Sequence, residues 1–172
     1  MKKIFLILPM LAITNVCFSQ NHKASEDGFS LLASAGTMSG GLGILAQYQI
    51  RLDIFTFITP FAGTGAEFGT RDLQGVWQGY AFGANIEQGK HHRVFGGITY
   101  GTRGVGYETK QNEIINKHVL AGPSLILGYK GIADSGWTWQ INVGMAYVRN
   151  PEAVNNKYYR GPTAGIGTGY KF

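Results

Sequence analysis

The side chains able to do chemistry are few, and their spacing limits what they can do. Nucleophilic hydrolysis needs a hydroxyl within hydrogen-bond reach of an imidazole. The histidines are His22, His91, His92 and His118. His118 and Ser124 fall on one face of an extended segment, yet lie six residues apart, about 20 Å at the rise of a strand. That excludes a bonded nucleophile and base. His91 and His92 are neighbours in a turn-like stretch, without the further ligands a metal needs. Cys17 is the only cysteine, so a mature chain without it has no disulfide and no thiolate site. Gly165, Gly167 and Gly169 are spaced like a phosphate loop, but no helical pattern follows them. The sequence therefore predicts no catalytic residue, no metal site and no cofactor. What remains is a set of charged and amide side chains at alternating positions: Arg51, Glu67, Glu87, Arg103, Gln140 and Asn142. On one face of neighbouring strands they form a polar network, with Arg103 paired to Glu67 or Glu87 as the first pairing to look for.

The elements that would position these residues are strands. Alternation of apolar with small or polar residues runs through the chain and is broken by turn residues, with no sustained helical period. Eight strands are expected, over about residues 29–38, 42–52, 55–69, 76–88, 93–107, 118–130, 137–149 and 160–172. Segment 137–149 is the clearest. Trp137, Trp139, Ile141, Val143, Met145 and Tyr147 alternate there with Thr138, Gln140, Asn142, Gly144 and Ala146. The same parity turns Leu32, Leu45, Phe57, Phe61, Phe95 and Ile126 inward. It also turns several glycines inward, which leaves room for a water-filled pocket. The aromatic residues Phe29, Tyr129, Trp137, Trp139, Tyr170 and Phe172 gather near one end of such a barrel. Tyr147 and Phe68 fall near the other, so two interfacial aromatic girdles are expected.

Residues 1–19 read as a signal peptide: Lys2 and Lys3, then an apolar run too short to span a bilayer, then small residues near Ser19. A lipoprotein signal acylated at Cys17 is disfavoured by Thr14-Asn15-Val16. Residues 20–28 are a polar lead-in and 29–172 the barrel. The formal charge of +5 falls to a small basic excess once Lys2 and Lys3 are removed. The remainder is scattered rather than clustered, which argues against nucleic acid as a partner. Glycine, 26 of 172 residues, together with abundant aromatics suits a tightly curved small barrel.

The terminal stretch, Ala164-Gly165-Ile166-Gly167-Thr168-Gly169-Tyr170-Lys171-Phe172, alternates and ends on Phe. It resembles the assembly signal of Gram-negative outer-membrane barrels. With seven alternating segments before it, the chain resembles small eight-stranded proteins of the OmpA-membrane-domain and OmpX type. The resemblance implies an all-β, antiparallel, up-and-down transmembrane barrel in the cell outer membrane. It also implies insertion by the outer-membrane assembly machinery. Contacts with outer-membrane lipid and lipopolysaccharide follow, and larger outer-membrane complexes are further candidate partners. The expected function is a structural or interaction role without catalysis. The alternatives are a narrow channel or lipid-binding pore, a lipid A modifying enzyme, and a soluble lipocalin-like binding barrel, whose apolar face would point inward.

Overall fold

A computed structural model describes residues 26–68, 76–110, 113–149 and 158–172. Within them the side chains of 68, 105–110, 113–119, 149, 158 and 159 fall outside the description. The expected signal peptide, His22, the loops at 69–75 and 150–157, and the side chains of Phe68 and His118 are thus outside it.

Eight strands close into one barrel in chain order: β1 (Gly28–Gly36), β2 (Gly41–Arg51), β3 (Thr56–Phe68), β4 (Val76–Gly89), β5 (His92–Lys110), β6 (Glu113–Ile132), β7 (Trp137–Arg149) and β8 (Tyr158–Lys171). Every pair is antiparallel, and β8 returns to β1 with Ser30 opposite Lys171 and Gly36 opposite Gly165. The Phe172 amide donates to the Phe29 carbonyl at 2.7 Å, so the last residue is held by the first strand. Closure leaves no sheet edge along the wall. Among the described residues no helix is long and apolar enough to cross a membrane.

Side chains alternate as the pleat requires. On β7, Trp139, Ile141, Val143 and Met145 are exposed, while Thr138, Gln140 and Asn142 are buried. The six apolar residues expected inside are all buried. Two ends are distinguishable. The terminal end carries Glu26, Phe172 and the short connections β2–β3, β4–β5 and β6–β7. The loop end carries the other connections.

Three local departures from the sequence pattern matter. First, β1 stops at Gly36 rather than running to 38, and residues 37–40 turn into the barrel. Met38 is 1 % exposed and packs with Leu32, Leu45, Phe61, Phe95 and Ile126. The inward glycines of β3 and β4 make this possible. A Cβ on Gly63 would meet the Met38 carbonyl at 2.6 Å, and one on Gly79 would collide with the Gly40 carbonyl. Second, a register shift between Thr102 and Gly104, with Gly104 at φ 140°, buries Thr102 as well as turning Arg103 inward. Simple alternation with Arg103 inward places Thr102 outside. A bulge puts an extra residue into one strand and re-aims its side chains. Third, residues 108–117, expected as a polar loop, are mostly strand. The β5–β6 ladder continues to Lys110 opposite Glu113, whereas β4–β5 pairing reaches only Gly101 and β6–β7 pairing begins at Ser124. The far part of this hairpin therefore pairs only with itself. A mostly polar sequence is as compatible with a two-stranded ribbon as with a loop, and composition alone does not separate the two.

Candidate functional site

The interior is organised in three layers along the barrel axis. Nearest the terminal end lies a buried charge cluster. Glu87 on β4 takes the Arg93 guanidinium on Oε2 at 3.0 Å and the Lys130 ammonium on Oε1 at 2.5 Å. All three side chains are at most 2 % exposed. Arg93 Nη1 also donates to Gln49 Oε1 at 2.6 Å, its Nε donates to the Lys90 carbonyl at 2.8 Å, and the guanidinium lies 3.8 Å over the Phe57 ring. One carboxylate thus binds cations from β5 and β6. Such a group is costly to desolvate and more costly to break, because each remaining ion is left without its counter-charge.

The chain before β1 lies across this end. The Glu26 carbonyl accepts from Gln49 Nε2 at 2.8 Å and from the buried Lys171 Nζ at 2.6 Å. Asp27 Oδ1 accepts from the Arg51 amide at 2.6 Å. In the β2–β3 turn, Asp53 Oδ1 accepts from the amides of Phe55 at 2.7 Å and Thr56 at 2.8 Å. The Phe55 amide bond, followed by Thr56, holds the Asp53 carboxyl below the ordinary carboxylate value.

The middle layer is the apolar cluster around Met38, crossed by one amide bridge. Gln47 Nε2 donates to Gln140 Oε1 at 3.0 Å, and Gln140 Nε2 donates to the Met38 sulfur at 3.4 Å. Inward glycines supply the space for neighbouring side chains. A Cβ on Gly83 would sit 2.8 Å from the Phe61 ring, and one on Gly165 would sit 2.9 Å from the Asn142 amide nitrogen. The room that glycine leaves is therefore taken up by protein at these positions.

The third layer opens at the loop end. Arg103 Nε donates to Ser124 Oγ at 2.6 Å. Its Nη1 donates to the carbonyls of Thr37 at 3.1 Å and Thr102 at 2.8 Å, and its Nη2 donates to Thr99 Oγ1 at 3.3 Å. Arg103 thus anchors the inward-turned segment to β5 and β6. Glu67 stands across from it, half-buried.

The six network residues expected from the sequence are accordingly divided. Glu87 and Gln140 sit in the sealed interior with the partners above, and Asn142 is buried beside Gly165. Glu67 and Arg103 face one another at the loop end. Among the described residues no ion pair joins Arg103 to Glu67 or Glu87. Arg51 stands exposed at the terminal rim, its Nε bonded to the Asp53 carbonyl at 2.9 Å. Arg93 and Lys130, the actual partners of Glu87, were not among the expected residues. Both lie near strand ends on the inward parity of their strands, Arg93 at the start of β5 and Lys130 near the end of β6, and extending the alternation to the strand ends finds them.

The outer surface is the reverse of the interior. Ile44, Phe82, Ile86, Val94, Ile98, Leu125, Leu127 and Val143 are all more than half exposed. At the terminal end the aromatic side chains touch in series. Phe29 and Phe172 stack with centroids 6.3 Å apart, and Phe172 meets Tyr170 edge-on at 5.4 Å. Tyr129 lies 5.5 Å from Trp139 and bonds His92 Nδ1 at 2.8 Å, with Trp137 exposed nearby on the same strand. At the opposite end the Arg160 guanidinium lies 5.3 Å over the Tyr147 ring. Among the described residues no three His, Cys, Asp or Glu side chains are grouped to hold a metal.

No family model and no curated protein matches the chain. Among solved structures it is similar to Ail, the attachment invasion locus protein of Yersinia pestis, at 11 % sequence identity and a TM-score of 0.47. That similarity covers 85 % of this chain and 96 % of that one. The closed, eight-stranded antiparallel barrel described above rests on the strand pairing of this chain itself.

Proposed function

We propose that the chain is an integral outer-membrane β-barrel with a structural or interaction role and no catalysis. The observation that carries this reading is the inverted polarity. Large apolar side chains cover the outside, while Glu87, Arg93, Lys130, Gln47, Gln49 and Gln140 are buried inside. A water-soluble barrel of this size would expose a contiguous apolar surface far beyond the few hundred Å² that monomers tolerate. In a bilayer the same surface meets acyl chains, and the closed ring of strands leaves no sheet edge facing lipid. Strands of 11–14 residues such as β2 and β4 suffice to cross when tilted. The even strand number puts both termini on one side, which in such barrels is the periplasm. Lipid and lipopolysaccharide are then the immediate partners, and the assembly machinery is the route of insertion.

The alternatives fit less well. A channel would need a path past the Glu26 crossing, the apolar middle layer and the segment 37–40. A lipocalin-like barrel needs an apolar lumen and a polar exterior. For a lipid A hydrolase, Ser124 is the hydroxyl at the same sequence parity as His118, and it accepts from Arg103 Nε.

Fractionation followed by gel migration tests the proposal. The protein should partition with the outer membrane and migrate differently before and after boiling, as closed barrels do when they unfold. Recovery in the soluble periplasm, or migration unchanged by boiling, would sink it.

A further inference from the structure

At the loop end, a cavity of about 200 Å³ opens between β3, β5 and β8, with Thr37 as its floor. Glu67, Thr102, Arg103, Pro162 and Thr163 are among the residues that line its walls. The volume is several times the share of one water in the liquid, about 30 Å³. Its walls present unused polar capacity of both signs.

Arg103 is largely buried, and its four protein hydrogen bonds all go to neutral oxygens: one serine hydroxyl, one threonine hydroxyl and two carbonyls. A guanidinium carries five N–H donors, so one on Nη2 remains. The charge opposite is Glu67, yet no ion pair within 4 Å joins them among the described residues. The Glu67 carboxylate accepts no hydrogen bond from the described residues. Arg103 and Glu67 thus line one cavity with opposite charges that the protein does not bring into contact.

We infer that this cavity is a binding site for a small zwitterion of the α-amino-acid class, its carboxylate held by Arg103 and its ammonium by Glu67. A simple anion would satisfy Arg103 and be repelled by Glu67. A simple cation would meet the reverse. A molecule with both charges a few ångströms apart meets both walls at once. The site is fixed because Arg103 is held by Ser124, Thr99 and the Thr37 carbonyl, so little order has to be gained on binding. It lies outside the sealed interior and requires no path through the barrel.

The test is a titration of the folded full-length chain in detergent micelles with glycine, followed by the amide resonances of Thr102 and Thr37. The shifts should saturate. Acetate alone and methylammonium alone should each bind at least about tenfold more weakly, equivalent to about 1.4 kcal/mol. Glu67→Gln and Arg103→Met should each weaken glycine by a similar factor. Absence of saturation with glycine overturns the inference. So does acetate binding as well as glycine, which would make the site a plain anion pocket. Unchanged affinity in Glu67→Gln overturns it too. Should either variant lose the folded barrel, the comparison of glycine, acetate and methylammonium on the unaltered chain decides alone.

Discussion

Glu87 is the residue on which most of the interior electrostatics depends, because it is the carboxylate between Arg93 and Lys130. Replacing it by glutamine keeps the shape and removes the charge. Two buried cations then repel across a site built around an anion. Breaking a buried pair in this way costs about 3–5 kcal/mol. Glu87→Gln should therefore lower the unfolding free energy by that order, measured by urea unfolding of the barrel in lipid vesicles. A loss within about 0.5 kcal/mol, the range of a neutral surface change, would contradict the assignment. Asp53 gives a pH-dependent counterpart at the terminal rim. Its carboxylate is stabilised in the folded turn by the Phe55 and Thr56 amides. A group with a depressed folded value contributes above its unfolded value, about 4, and loses that contribution as pH falls through the folded one. Protection of the Phe55 and Thr56 amides from hydrogen exchange should thus be full at neutral pH and fall in acid. Asp53→Asn should show weaker protection at neutral pH and little further loss in acid. At this scale the sequence was informative about which face a residue takes, as for Glu87 and Gln140. It was silent on pairing, because the partner of Glu87 depends on how β4, β5 and β6 are staggered around the barrel.

At the scale of elements, alternation carried nearly the whole barrel. Alternation places the seventh strand at Trp137 to Arg149, and β7 spans that range. Segment 37–40 was not legible. Thr37-Met38-Ser39-Gly40 has no period, and a methionine in a turn looks like an accident of composition. Its meaning comes from Gly63 and Gly79 on strands that are distant in sequence and that leave backbone-sized space beneath it. Gly79→Val should expel the segment. Proteolysis or hydrogen exchange at 37–40 should rise sharply, with a stability loss of about 1–3 kcal/mol from overpacking. An unchanged exchange rate at Ser39 would show that the segment does not need that space. The long β5–β6 hairpin escaped the sequence for a different reason. A mostly polar sequence is as compatible with a two-stranded ribbon as with a loop, and only the observed ladder separates them.

At the scale of the whole molecule, one physical statement organises the structure: the barrel is turned inside out relative to a soluble one. The charged and amide residues that a soluble fold would expose lie inside, where Glu87 joins Arg93 and Lys130, Arg93 joins Gln49, and Gln47 joins Gln140. The apolar residues that it would bury form the outer wall, bounded at the terminal end by Phe29, Tyr129, Trp137, Trp139, Tyr170 and Phe172. Spin labels placed in turn at 139–145 along β7, in a Cys17→Ala background, test this most directly. In lipid bilayers, collision with dissolved oxygen should oscillate with period two. Maxima are predicted at 139, 141, 143 and 145, and minima at 140, 142 and 144. Maxima at the even positions, or no oscillation at all, would contradict the account.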